Sequence, residues 1–167
     1  MKPKKIKSLY VIGSLRNAAI PEFANQIQEL GIEGFADWFA PGRHADDEWK
    51  KYSKQRGLTY GQALKSYAAK HIFEFDKFHL ERCDGAVLLM PGGKSACLEL
   101  GWSLRSGKPG WIVYEKEPDV RWDVMFQFAT GIFFSRKEFL EHLKQLNAPR
   151  SSSRRFCKPS IRAKIKE

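Results

Sequence analysis

Residues 85–101 read GAVLLMPGGKSACLELG. The first six, Gly85 to Met90, form an apolar run with no charged residue, the length of a strand buried on both faces. Pro91, Gly92 and Gly93 break it, and a helix is predicted from about Ser95 to Arg105. Strand, tight turn and helix in immediate succession are the repeating unit of a parallel sheet, and the flanking sequence repeats the pattern. Upstream, IKSLYVIG (6–13) is a short apolar strand that stops at Gly13. A helix is predicted over Pro21–Leu30, with Pro21 in the first turn and Gly31 as the stop. GFADWFA (34–40) reads as a second strand, ended by Pro41-Gly42. Downstream, GWIVYE (110–115) and TGIFFS (130–135) read as two more strands, and RKEFLEHLKQL (136–146) as a closing helix.

The alternation predicts an α/β domain over residues 1–147, with a flavodoxin- or Rossmann-like five-stranded parallel sheet and helices on both faces. Residues 42–58 are polar and long for a connection in such a unit, and are read as a lid-like insertion or an extra helical turn. A long helix is predicted from Thr59 to Cys83. Lys70, Glu74, Lys77 and Glu81 share its polar sector, and Leu64, Ala68, His71, Ile72, Phe75 and Phe78 form the opposite face. Asp76 falls outside the polar sector, toward Ala69, Leu80 and Cys83.

The chain has 167 residues, enough for one sizeable core. Its net charge of +10 resides at the ends. Lys2, Lys4, Lys5 and Lys7, with the basic residues from Arg150 onward, account for the excess, and the body between is neutral. Residues 148–167 are therefore read as a basic tail, with nucleic acid a partner through residues 150–167. No apolar stretch approaches membrane-spanning length, and the basic start is followed by too short an apolar run for a signal peptide. The expectation is a cytoplasmic protein without membrane contact. Three cysteines without CxxC spacing and four scattered histidines point to neither a disulfide framework nor a metal site, and no cofactor is expected.

Ligands of such sheets bind beyond the carboxyl ends of the strands. Three loops meet there: GSLRN (13–17), DWFAPG (37–42) with Asp37, and the turn at 91–95. The last resembles a triphosphate-binding loop only in Gly93-Lys94-Ser95. The motif requires a further glycine at position 88, where Leu88 stands inside the strand. Gly92, Gly93 and Ser95 are left either as a tight turn or as amide donors at a helix start, suited to an anion or a sugar hydroxyl.

Glu99, between Leu98 and Leu100, is a carboxylate in an apolar stretch, and Asp76 is a second one off its helix's polar face. One carboxylate as nucleophile and another as acid is what glycosyl transfer requires. The nucleophile must be ionised and the acid must hold a proton near neutrality. Tyr10, on the first strand, could orient the nucleophile. Asp84, at a helix-to-strand junction, is read as structural, and Trp38, Phe39, Trp49 and Tyr52 as core or lid packing.

These residues resemble the nucleoside 2-deoxyribosyltransferase superfamily, which includes the 2′-deoxynucleoside 5′-phosphate N-hydrolases. The resemblance rests on LYVIGSLRN (9–17), FEFDKFHLERCDGAVLL (73–89) and SACLELGWSLRSGKP (95–109), and extends over most of residues 8–146. It implies that Glu99 attacks the anomeric carbon, that Asp76 protonates the leaving base and that Tyr10 orients Glu99. It also implies that Gly13, Ser14 and Arg16 border the sugar or its 5′ group. Family members are homo-oligomers whose neighbouring subunit completes the site; the matching segment is WDVMFQFATG (122–131), with Asp123 in the reaching position. Relatives that hydrolyse monophosphates carry a serine there, so Asp123 favours a nucleoside, whereas Arg16, Lys94 and Arg121 favour a phosphate. PGGKSACLE also partly matches the PGGxGTxxE signature of cytokinin-type phosphoribohydrolases, with Ser95-Ala96 replacing Gly-Thr. A different class of reading is a non-catalytic module that senses nucleotides or docks on nucleic acid through its basic ends.

Overall fold

The computed structural model describes residues 5–119 and 122–148. The expected nucleic-acid contacts of residues 150–167, and Arg121, lie outside the described residues. Five strands form one all-parallel sheet: β1 (Ser8–Ile12), β2 (Glu33–Phe35), β3 (Gly85–Leu89), β4 (Gly110–Val113) and β5 (Gly131–Phe133). Their order is β2-β1-β3-β4-β5, the flavodoxin-like arrangement, whose topological switch point lies between β1 and β3. The helices are α1 (Ile20–Gln28), α2 (Ala45–Gln55), α3 (Tyr60–Ala63), α4 (Tyr67–Arg82), α5 (Lys94–Arg105) and α6 (Arg136–Asn147).

The apolar runs are continuous because alternate residues enter two cores. Leu9, Val11, Val87, Leu89, Trp111 and Val113 pack with Phe23 and Ile27 of α1 and Phe139 and Leu143 of α6. Tyr10, Ile12, Ala86, Leu88 and Ile112 face the other way and pack with Leu80 of α4 and Ala96 and Leu100 of α5. Gly34 lets α1 sit directly on β2: a Cβ there would stand 2.5 Å from the Ala24 carbonyl oxygen. Gly31 ends the turn after α1 at φ +74°, a conformation that favours glycine.

Three expectations are corrected. The second strand is Glu33–Phe35, not 34–40, and Asp37–Phe39 form a 3-10 turn. The Trp38 indole N–H donates to the Val11 carbonyl at 2.7 Å, so a side chain caps β1 where a longer β2 would have paired with it. The helix expected over 59–83 is two helices. Thr59 and Gln62 form a capping box at α3, and Ser66, with ψ 157°, accepts from the Ala69 N–H and starts α4 afresh. The aromatic side of α4 is not its buried side. Leu80 and Cys83 are buried, while Leu64, Ala68, His71, Ile72, Phe75 and Phe78 are exposed. The inward stripe instead runs from half-buried Asp76 to buried Leu80 and Cys83, at spacings of four and three.

The 42–58 segment contains an 11-residue helix, α2, with Asp46, Asp47 and Glu48 in its first turn, where the helix dipole favours acids. Trp49 meets Tyr60 edge to face at 6.5 Å, and Ser53 and Ala63 are buried, so α2 and α3 form a small lobe. Neither core takes a residue from it.

Candidate active site

The face of the sheet covered by α4 and α5 carries the three expected catalytic residues. Tyr10 points to it because its neighbours Leu9 and Val11 enter the opposite core. Asp76, half-buried, heads the inward stripe of α4. On α5, Ala96, Leu100 and Ser103 are buried, and Glu99 shares their face at a spacing of three from Ala96.

The three groups are electrostatic neighbours. Burial, reinforced by the Asp76 charge, raises the Glu99 carboxyl to about 7, and burial raises Asp76 to about 6. Tyr10 is pushed far above its ordinary range by burial first, then by Glu99 and Asp76. No cation is among the groups that shift either carboxyl. Both carboxyls are therefore held high: burial acts on each, and the charge of one opposes ionisation of the other. Asp76 Oδ1 is buried and, among the described residues, accepts no hydrogen bond. An acceptor buried without a donor is costly, and a ligand N–H or a shared proton would relieve it.

The raised values have a consequence for stability. An acid whose folded pKa exceeds its unfolded value favours folding at low pH and loses that contribution as pH rises to the folded pKa. Here the loss runs from the ordinary carboxyl values of 3.8 and 4.5 up to about 6 and 7. Replacing Glu99 with Gln should stabilise the protein relative to wild type at pH 8, on the order of 2 kcal/mol, and should give no gain at pH 4. Urea unfolding at the two pH values measures it; an equal difference at both would remove the desolvation argument.

The mouth of the site is built from two turns tied together. In the 13–17 turn the Asn17 N–H donates to the Ser14 carbonyl at 2.8 Å, and the Arg16 N–H to Ser14 Oγ at 3.2 Å. Asn17 Nδ2 reaches the Met90 carbonyl at 3.5 Å, which joins this turn to the one after β3. There the Met90–Pro91 peptide is cis, and Gly93 is the N-cap of α5 without a side-chain cap, so no side chain competes with a ligand for the first amides. Gly92 is half-buried, and Gly93 and Ser95 are exposed. Gly13 and Ser14 are half-buried beside them, and Arg16 extends outward to Asp47 of α2.

The two remaining expected residues, Asp37 and Asp123, are not among the groups whose charge shifts the carboxyl pair. Asp37 is exposed, and its charge acts on His79 and Arg82, where α4 meets β2. Asp123 accepts from the Met125 N–H at 3.1 Å, capping a 3-10 turn (Val124–Phe128), and its charge raises the Tyr114 hydroxyl just beyond β4, second to burial. Sequence reasoning assigned no role to Asn17, Asp47 or Tyr114. Asn17 closes a turn motif, which was a usable signal; Asp47 sits in an ordinary charged run and carried none. Asp84 proves structural, its Oδ2 accepting from the Lys7 N–H at 2.9 Å.

A cavity of about 760 Å³ opens at the opposite, amino edge of the strands, among Ile6, Cys83, Lys108, Trp111, Phe133 and His142. Its nearest ammonium, Lys108, is taken by the carbonyls of Leu80 and Glu81. It contains neither Glu99 nor Asp76, and the carboxyl edge remains the better candidate. Fold and site together describe an α/β protein with two half-buried carboxylate residues beside the strands that border the switch point of a parallel sheet. Neither a protein-family model nor a curated protein matches the chain. Among the described residues, no helix is long and apolar enough to cross a membrane.

Proposed function

We propose that the protein cleaves or transfers the N-glycosidic bond of a (2′-deoxy)nucleoside or nucleotide through a covalent glycosyl-enzyme. The observation that carries this reading is the adjoining pair of raised carboxyls, one of them with a buried, unpartnered oxygen. A Glu99 oxygen bonds to C1′ as the C1′–N bond breaks. The bonding pair leaves with the base, and the Asp76 proton goes to the departing nitrogen. Water or a second base then attacks C1′ and releases Glu99, and Asp76 takes up the proton that the acceptor loses. The reaction requires one proton on the pair. Substrate sets which carboxyl holds it: a basic ring nitrogen beside Asp76 favours its protonated form, and the developing charge at C1′ favours ionised Glu99.

The test is incubation with each deoxynucleoside and its 5′-monophosphate, with and without an acceptor base. Free base or an exchanged nucleoside is expected, and no turnover of any of them would refute the reading.

A second copy of the chain belongs to the same reading. Leu98 (75% exposed) on α5, Trp122 (82%) just before Asp123 and Phe128 (74%) in the 3-10 turn after it leave large apolar side chains open. A second copy that covered them would remove that surface from water. Light scattering should give at least a dimer, and Trp122→Asp with Phe128→Asp should shift it toward monomer; a monomeric wild type would remove the partner from the site.

A further inference from the structure

Arg16 stands at the mouth, yet its charge is already matched. Its Nη2 pairs with Asp47 Oδ2 at 2.9 Å, and His44 Nδ1 approaches the same oxygen at 3.7 Å. On one side the arginine is fixed to the site through the Ser14 and Asn17 bonds. On the other it meets the acidic first turn of α2, where Asp46 and Glu48 flank Asp47. Both side chains of the pair are more than half exposed, so the pair adds little to folding, ~0–1 kcal/mol. Its effect falls on whatever enters the mouth.

We propose that Asp47 is a specificity-determining residue that neutralises Arg16 and so selects substrates with an uncharged 5′-hydroxyl over 5′-monophosphates. The inference rests on the N-glycosidic reading above. A phosphomonoester carries roughly −1.5 to −2 charges at pH 7. To use Arg16 it must displace Asp47, and the displaced carboxylate then faces it, beside Asp46 and Glu48. Discrimination by such a retained like charge is specificity through repulsion of the wrong ligand. A 5′-hydroxyl needs no ion pair broken.

The experiment compares wild type, Asp47→Asn and Asp47→Glu with one 2′-deoxynucleoside and its 5′-monophosphate, reading kcat and KM separately at fixed ionic strength. Wild type should prefer the nucleoside. Asp47→Asn should lower KM for the monophosphate about tenfold, the effect of ~1.4 kcal/mol, and leave kcat and the nucleoside unchanged. Asp47→Glu should keep the wild-type preference. Wild-type preference for the monophosphate, or an Asn variant whose preference is unchanged or moves further toward the nucleoside, overturns the role of Asp47. Equilibrium binding of the same two compounds reads that preference even without turnover. Absence of turnover thus counts against the reaction, and an unchanged binding ratio counts against Asp47.

Discussion

Glu99→Ala should abolish turnover, by roughly 10⁴-fold or more, the scale on which a lone nucleophile is lost. The variant should also be easier to prepare than most catalytic knockouts. It removes a carboxyl that burial raises to about 7, so above neutral pH the lost ionisation penalty offsets part of the lost packing. The cavity it leaves lies beside Asp76, where a small anion such as azide or formate can stand in for the missing carboxylate. Adding azide should restore base release and yield a glycosyl azide, detected by mass. Full activity in the variant would show that another group makes the bond to C1′.

Asp76→Asn should have the second-largest effect, and its size should depend on the leaving group. A general acid contributes roughly 10²–10⁴-fold when the departing atom needs a proton. Natural deoxynucleosides should therefore slow by that amount. A 2-deoxyribosyl donor whose leaving group departs as a stable anion, such as 4-nitrophenolate, should slow by less than about tenfold. Asn retains the side chain's size and its place at the head of the Leu80–Cys83 stripe, so the comparison reads chemistry and not packing. Equal losses on both donors would assign Asp76 to positioning the substrate and leave the acid to be sought elsewhere.

Much of this architecture was legible before any coordinates. The runs at 9–12, 85–89 and 110–113 are apolar without alternation because both faces of the sheet are covered, and that feature is local. The misreadings have local causes too. GFADWFA has the composition of a strand, but one indole N–H takes the Val11 carbonyl and turns the chain out of the sheet. The break between α3 and α4 was signalled by Thr59 and Ser66, two capping residues seven apart, and the apolar period masked them. The exposed aromatic face of α4 was illegible because periodicity finds an apolar face without saying what covers it. In the site, Glu99 and Asp76 stood out as carboxylates out of keeping with their helices. The Arg16–Asp47 pair did not, since it joins exposed residues 31 positions apart.

The lobe formed by α2 and α3 has a consequence for how such a protein changes over generations. Both cores close without it, and it meets the mouth through a surface ion pair. Substitutions and length changes in this lobe therefore carry little penalty in folding, while altering what the mouth admits. Substrate choice can drift in one part of the chain while the sheet and its carboxyl pair stay fixed in another.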